Sequence, residues 1–330
     1  MKAQIIRWGI IGTGRIARAF AEGIKYTSNG KLYAIASRNL KTANAFAQEW
    51  EIKHAFASYK DLAQSDVVDA VYIATPHSSH AENSILCMRN GKAVLCEKPF
   101  AVNTKEVDAM ISVSKENNVL LMEGMWSRFP PLMCKLREWI KNGKLGKIRV
   151  LHADFGFLPK ERNPKGRLLN LELAGGSLLD LGIYPISLAS MIFGMPSSVQ
   201  TLANIGETGV DEQSSWIFKY PCGGLAMLLS SIECETRQEA FISGTLGNVR
   251  IHKQCWKPQK MTFTETNGDN EEIIEMPFKG NGFNYEAESF SNLLLEGTKE
   301  SPIMPLCESR EIMTQLDQIR KEWGLIYPMD

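Results

Sequence analysis

From residue 5 to about residue 123, short apolar runs alternate with longer stretches whose apolar positions recur every three or four residues. The runs at 5–11, 31–37, 70–75, 93–97 and 119–123 predict strands. The stretches at 15–26, 40–50, 80–90 and 104–117, bounded by Asn and Gly, predict helices. Strands that are apolar throughout and linked by helices are buried on both faces, so the pattern predicts a doubly wound parallel sheet. Past Trp126 the rhythm changes. A helix at 131–142 is followed by strands at 147–155, 198–205, 214–220, 225–234, 239–245, 248–252, 261–265 and 271–276, separated by turn residues. A helix at 175–193 interrupts them, and helices at 285–296 and 309–323 close the chain. This succession predicts an α+β half with a large, mainly antiparallel open sheet.

A chain of 330 residues exceeds the usual size of one core, and the change of rhythm divides it into domains at 1–125 and 126–330. The last helix is placed to pack back on the first domain. Composition adds a limit on partners. Basic and acidic residues both total 37, which gives no global attraction to nucleic acid or to an anionic membrane and points to a small-molecule partner. Seven scattered cysteines with no Cys-x-x-Cys pair argue against a disulfide framework or a zinc knuckle. Neither a signal-peptide pattern nor an uninterrupted apolar span is evident, so a cytoplasmic location is expected.

The first strand runs into Gly12-Thr13-Gly14-Arg15-Ile16-Ala17, a Gly-x-Gly-x-x-Ala loop that opens a helix. In that context Gly12 permits a tight turn, Gly14 lets the backbone approach a diphosphate, and Ala17 lets helix and strand pack closely. Gly12, Thr13, Gly14, Arg15 and Ile16 are therefore expected to hold a dinucleotide, and the first half to be a Rossmann domain. The second strand ends in Ser37-Arg38-Asn39 with no carboxylate for a ribose 2′-hydroxyl. A donor and a positive charge suit a 2′-phosphate instead, so Ser37 and Arg38 favour NADP(H) over NAD(H).

The fourth predicted strand leads into Cys96-Glu97-Lys98-Pro99, which puts Lys98 at the carboxyl end of a parallel strand, where open α/β sheets bind ligands. With the glycine loop and the change to an antiparallel second half, Glu97-Lys98-Pro99 resembles the Gfo/Idh/MocA family of oxidoreductases over essentially the whole chain. Within the family the resemblance is strongest to the branch of dimeric dihydrodiol dehydrogenase and NADP-dependent D-xylose dehydrogenase. Two stretches carry it: Met122-Glu123-Gly124-Met125-Trp126-Ser127-Arg128-Phe129, and Gly175-Gly176-Ser177-Leu178-Leu179-Asp180-Leu181-Gly182-Ile183-Tyr184. Many members place a His where this chain has Tyr184. The resemblance implies that Lys98 and Tyr184 are the catalytic pair.

The chemistry those residues would perform is hydride exchange between a nicotinamide and a carbinol or carbonyl of a sugar, polyol or cyclic trans-diol. Oxidising a carbinol requires removal of its hydroxyl proton, and a phenol can take it if a cation stabilises the phenolate. Asp180 and Tyr184 stand one helical turn apart, so Asp180 is expected to orient substrate or the Lys98 ammonium. Thr75 and His77 are expected at the nicotinamide ribose or diphosphate, and Glu97 at the ribose or amide. His77 and His80 lack the companions a metal site needs, so no metal is expected. Trp126, Arg128 and Phe129 would give a polyol site aromatic walls and one cation; core packing accounts for the two aromatics equally well. Two other functions share the fold: an NADP-sensing regulator without catalysis, against which both Lys98 and Tyr184 speak, and a biliverdin-reductase-like enzyme, which needs no such pair. The apolar stretch Leu225-Ala226-Met227-Leu228-Leu229 would let the second sheet pair with another copy, giving a homodimer.

Overall fold

The computed structural model describes residues 4–268 and 270–330. Its first stretch runs β1 (Ile6–Ile11), α1 (Arg15–Ile24), β2 (Gly30–Ala36), α2 (Leu40–Glu49), β3 (His54–Phe56), α3 (Tyr59–Gln64), β4 (Ala70–Ile73), α4 (His80–Arg89), β5 (Ala93–Glu97), α5 (Thr104–Glu116) and β6 (Leu121–Gly124). Then come α6 (Pro131–Lys141), β7 (Ile148–Gly156), α7 (Ile183–Phe193), β8 (Ser198–Ile205), β9 (Asp211–Lys219), β10 (Leu225–Ser231) and β11 (Ala240–Gly244). The chain closes with β12 (Gly247–Ile251), β13 (Lys260–Glu265), β14 (Glu271–Glu275), α8 (Phe283–Leu295) and α9 (Leu306–Trp323). Two compact units result: the chain up to Phe129 with Lys279–Arg310, and Pro130–Phe278 with Glu311–Asp330.

In the first unit six parallel strands lie in the order β3-β2-β1-β4-β5-β6. The order reverses between β1 and β4, and the crevice outside the carboxyl ends of those two strands is where such sheets take ligands. Local chemistry starts the helices: the Asn39, Ser58 and Asn103 side chains accept from first-turn amides of α2, α3 and α5. The doubly wound sheet matches the expectation, with β3 and α3 added. Three and six residues are too few to display a period.

A single cut after residue 125 does not describe the chain. The division falls after Phe129, and α8, expected in the second domain, belongs to the first unit. It covers the α1 side of the sheet, where Trp8 packs on Phe290 at 5.0 Å and on Phe20 at 5.3 Å, and Phe20 stacks on Tyr72 at 3.8 Å. The buried Trp8 indole donates to Ser291 Oγ at 3.1 Å. Gly23 lets the helices meet this closely, since a Cβ there would stand 2.8 Å from that of Phe283.

The second unit is an eight-stranded sheet in the order β14-β13-β12-β11-β7-β10-β9-β8, with one parallel pair, β7 and β10. Burial alternates along β9 and β10, so one face is packed and the other exposed. The expected helix at 175–193 is present from Ser177 onward, its first part wound as a wide π-helical turn at Leu178–Gly182 that leads directly into α7, and a short 3₁₀ turn at Leu171–Leu173 precedes it. Gly176, at φ +114°, separates the 3₁₀ turn from this helix. By length and composition 171–193 could also cross a membrane, contrary to the expectation that no span could, but most of its apolar window is buried inside the protein, as in a core helix.

Candidate active site

Between β1 and α1 only Gly12, Thr13 and Gly14 intervene. A Cβ on Gly12, at φ +103°, would meet the Ala74 carbonyl oxygen at 2.6 Å, so this turn requires glycine. At Gly14 nothing lies within 4 Å of where a Cβ would stand. The same residue starts α1 without a side-chain cap, and the first turn holds no acidic residue. Its amides are left for an anion, so the loop fits a dinucleotide diphosphate. Thr13 and Ile16 are half-buried and Arg15 is exposed. Arg18 braces the loop, its Nη1 donating to the Thr13 carbonyl at 2.8 Å while its other nitrogens hold Glu49.

Ser37 follows β2 and is buried, whereas Arg38 is exposed and hydrogen-bonds the Tyr59 phenol. Burial raises the Tyr59 phenol above its ordinary value, and Arg38 partly offsets this. Beyond β4, Thr75 is half-buried and His77 buried. His80, which sequence reasoning treated only as a rejected metal ligand, ties two loops together: Nδ1 lies 2.7 Å from the Pro99 carbonyl oxygen and Nε2 3.0 Å from that of Thr75. Burial lowers its pKa to about 4, with Lys98 adding to the effect, although both carbonyls oppose it. A neutral imidazole has one N–H, so it donates to one of the two at a time. Asn83 secures Thr75 further, donating to its Oγ1 at 3.3 Å.

Lys98 is half-buried, its peptide to Pro99 is cis, and its backbone N–H donates to Glu97 Oε2 at 3.1 Å. Tyr72 pairs in register with Leu95, so Tyr72 and Glu97 share a face of the sheet. The Tyr72 hydroxyl donates to Glu97 Oε1. Glu286, on α8, is fully buried near them, and neither of its oxygens has a hydrogen-bond partner among the described residues. Burial, reinforced by Glu97, pushes its pKa well up.

Trp126, Arg128 and Phe129 all lie in the first unit and are buried. Trp126 stacks on Phe283 at 4.7 Å, and Arg128 is ion-paired with Glu308 at 2.6 Å. Nearby Glu123 is pushed up to about 7 by burial, against the pull of Ser309, Arg128 and the Phe100 backbone.

In the second unit Asp180 sits in the wide turn and Tyr184 in the first turn of α7. Asp180 has a partner not foreseen, Arg167, at 2.8 Å. Tyr184 is half-buried, 5.5 Å from Phe155, which stacks face to face on Trp256 at 3.7 Å. The two stacked rings form an aromatic wall beside the phenol. Asp211 accepts from Ser177 Oγ at 2.8 Å and from the Leu178 N–H at 2.7 Å, and burial pushes its pKa up to about 7. The sequence signalled neither the wall nor Asp211, because Phe155, Trp256 and Asp211 reach this segment only through sheet pairing and loop return.

A parallel sheet whose order reverses beside a glycine loop, in a chain that devotes its remainder to a separate sheet, defines a class of dinucleotide-binding oxidoreductases. The chain belongs to the Gfo/Idh/MocA family: residues 6–125 match the oxidoreductase family with an NAD-binding Rossmann fold, and residues 133–250 match the family's C-terminal domain. It is 39% identical over 337 residues to trans-1,2-dihydrobenzene-1,2-diol dehydrogenase of Mus musculus, covering 98% of this chain and 99% of that protein. Among solved structures it resembles the aldose-aldose oxidoreductase of Caulobacter crescentus complexed with glycerol (TM-score 0.87, 25% identity, 97% and 98% covered). It also resembles a 3-ketoreductase of Actinomadura kijaniata in complex with NADP and TDP-benzene (TM-score 0.82, 25% identity, 96% and 98% covered).

Proposed function

We propose that this chain is an NADP(H)-dependent oxidoreductase acting on a carbinol or carbonyl of a sugar, polyol or cyclic trans-diol. The observation that carries the reading is Tyr184, a half-buried phenol against the Phe155–Trp256 stack, in a chain whose other unit bears an uncapped glycine loop. An aromatic wall suits the apolar face of a ring whose edge carries hydroxyls. The bound nicotinamide supplies hydride acceptance or donation. In the oxidative direction the Tyr184 phenolate takes the hydroxyl proton and becomes a phenol, and Lys98 has the role of the cation that favours the phenolate beforehand. In the reductive direction the phenol returns the proton to the growing alkoxide. Asp180, held by Arg167, orients the substrate hydroxyl. A turnover screen over trans-dihydrodiols, aldoses, polyols and dicarbonyls tests the reading; NADPH binding with no turnover of any of them favours the regulator instead.

Arg38 and Ser37 give the nucleotide site its preference for NADP(H). Arg38→Ala is expected to weaken NADPH binding far more than NADH binding, measured by fluorescence titration with both nucleotides. Equal losses would remove Arg38 from the selection.

The protein forms a homodimer through the exposed face of its second sheet. Ile217 and Met227 are 49% and 44% exposed and face one another across β9 and β10. His152 and Phe241 continue that row on β7 and β11. Leu225, on the same face, is 43% exposed, and such a contiguous apolar row marks an interaction surface. Light scattering is expected to give twice the chain mass, and Met227→Glu with Ile217→Glu to give a folded monomer; a monomeric wild type would exclude the interface. Among the described residues no disulfide joins any of the seven cysteines, which suits a reducing cytoplasm.

A further inference from the structure

The segment from Gly175 to Tyr184 is gripped by two buried side chains that the reaction itself does not use. Asp211 is fully buried and caps the wide turn through Ser177 and Leu178. Its Oδ1 is buried with no hydrogen-bond partner among the described residues and lies against Gly176, where a Cβ would stand only 2.2 Å away. Tyr327 is 1% exposed, and its hydroxyl donates to the Gly175 carbonyl at 2.5 Å. Tyr327 is in turn fixed by its neighbours: its N–H donates to Asp330 Oδ2 at 2.8 Å and the Arg320 guanidinium lies 4.8 Å above its ring. Arg320 is tied to Asp330 and to Asp317, both at 2.7 Å.

Stability alone does not call for this arrangement. Helix starts elsewhere in this chain are capped by neutral side chains, whereas burying a carboxyl with one bare oxygen costs free energy. The wide turn has no stability advantage either. Single π-helical turns are kept where a functional side chain must be aimed, and this one lies between the grip and Tyr184.

We propose that Asp211 and Tyr327 are positioning residues for the reaction: they fix the start of the Leu178–Gly182 turn and so set the direction in which Asp180 and Tyr184 are presented. The inference rests on the reading of Tyr184 as the proton-exchanging residue. Asp211→Asn and Tyr327→Phe keep the shape of each side chain and are the test, with Tyr184→Phe beside them. Displacement of a reacting group by about 1 Å lowers turnover by as much as roughly 100-fold, so kcat is expected to fall in that range in both variants while NADPH affinity stays unchanged. In the Tyr184→Phe background each change lowers residual turnover by less than it does with Tyr184 in place. Unchanged kcat in Asp211→Asn and Tyr327→Phe, with turnover lost in Tyr184→Phe, overturns the positioning role and leaves Tyr184 in place. Full turnover in Tyr184→Phe overturns both. NADPH affinity falling in step with kcat marks a purely structural role and also overturns the proposal. Should Asp211→Asn fail to fold, Tyr327→Phe, which removes one hydroxyl, decides alone.

Discussion

Tyr184→Phe is expected to lower kcat by roughly 10²–10⁴-fold, the range contributed by a positioned general acid or base, while NADPH still binds with wild-type affinity. The substitution keeps the ring, so its contact with Phe155 at 5.5 Å survives and the loss is confined to the hydroxyl. The nucleotide loop is part of the first unit and Tyr184 of the second, so a defect in turnover and a defect in cofactor binding can be read separately. Steady-state kinetics in both directions, with fluorescence titration of NADPH, make the measurement. A fall in kcat in both directions identifies one group that takes the proton in oxidation and returns it in reduction. Unchanged turnover would remove Tyr184 from the mechanism.

How far the site was legible in the sequence depends on how its residues are brought together. Gly12, Gly14, Ser37 and Lys98 stand at strand ends, and strand ends follow from local periodicity, so the hydrophobic pattern alone aligns them along the carboxyl edge of one sheet. Asp180 and Tyr184 lie in one short segment for which the resemblance supplied the roles. The supporting residues come from elsewhere. His80 holds Pro99 and Thr75 from a helix start, Glu286 arrives on α8 nearly two hundred residues after Glu97, and Asp211 reaches Ser177 from β9. A buried acid has no periodic signature, and its partners are set by tertiary packing. The return of α8 to the first unit was hidden for a similar reason: its amphipathic pattern shows that one face is buried but not against what.

The same reasoning applies to Arg128, whose side chain is 3% exposed and paired with the Glu308 carboxylate at 2.6 Å. Breaking a buried pair by removing one partner leaves an uncompensated charge, so Arg128→Met is expected to cost about 3–5 kcal/mol of stability. The loss should also depend on pH. Burial raises Glu123 from 4.5 to about 7 in the folded protein, so between those values the native state holds a proton that the unfolded chain has released. Its contribution is therefore fully present below about pH 4.5 and is lost as pH rises through about 7. Arg128 is one of the groups that lower Glu123, so removing it moves the folded-state ionisation higher and the decline continues past neutrality. Denaturant unfolding of both proteins at about pH 6 and about pH 8 should show the gap between them widening with pH. Wild-type stability in the variant, combined with a raised KM for substrate, would instead make Arg128 the substrate cation that the sequence suggested. The ion pair with Glu308 and the proximity of Glu123 favour the structural role, because a buried guanidinium held by a half-buried carboxylate would have to give up that partner to meet a polyol.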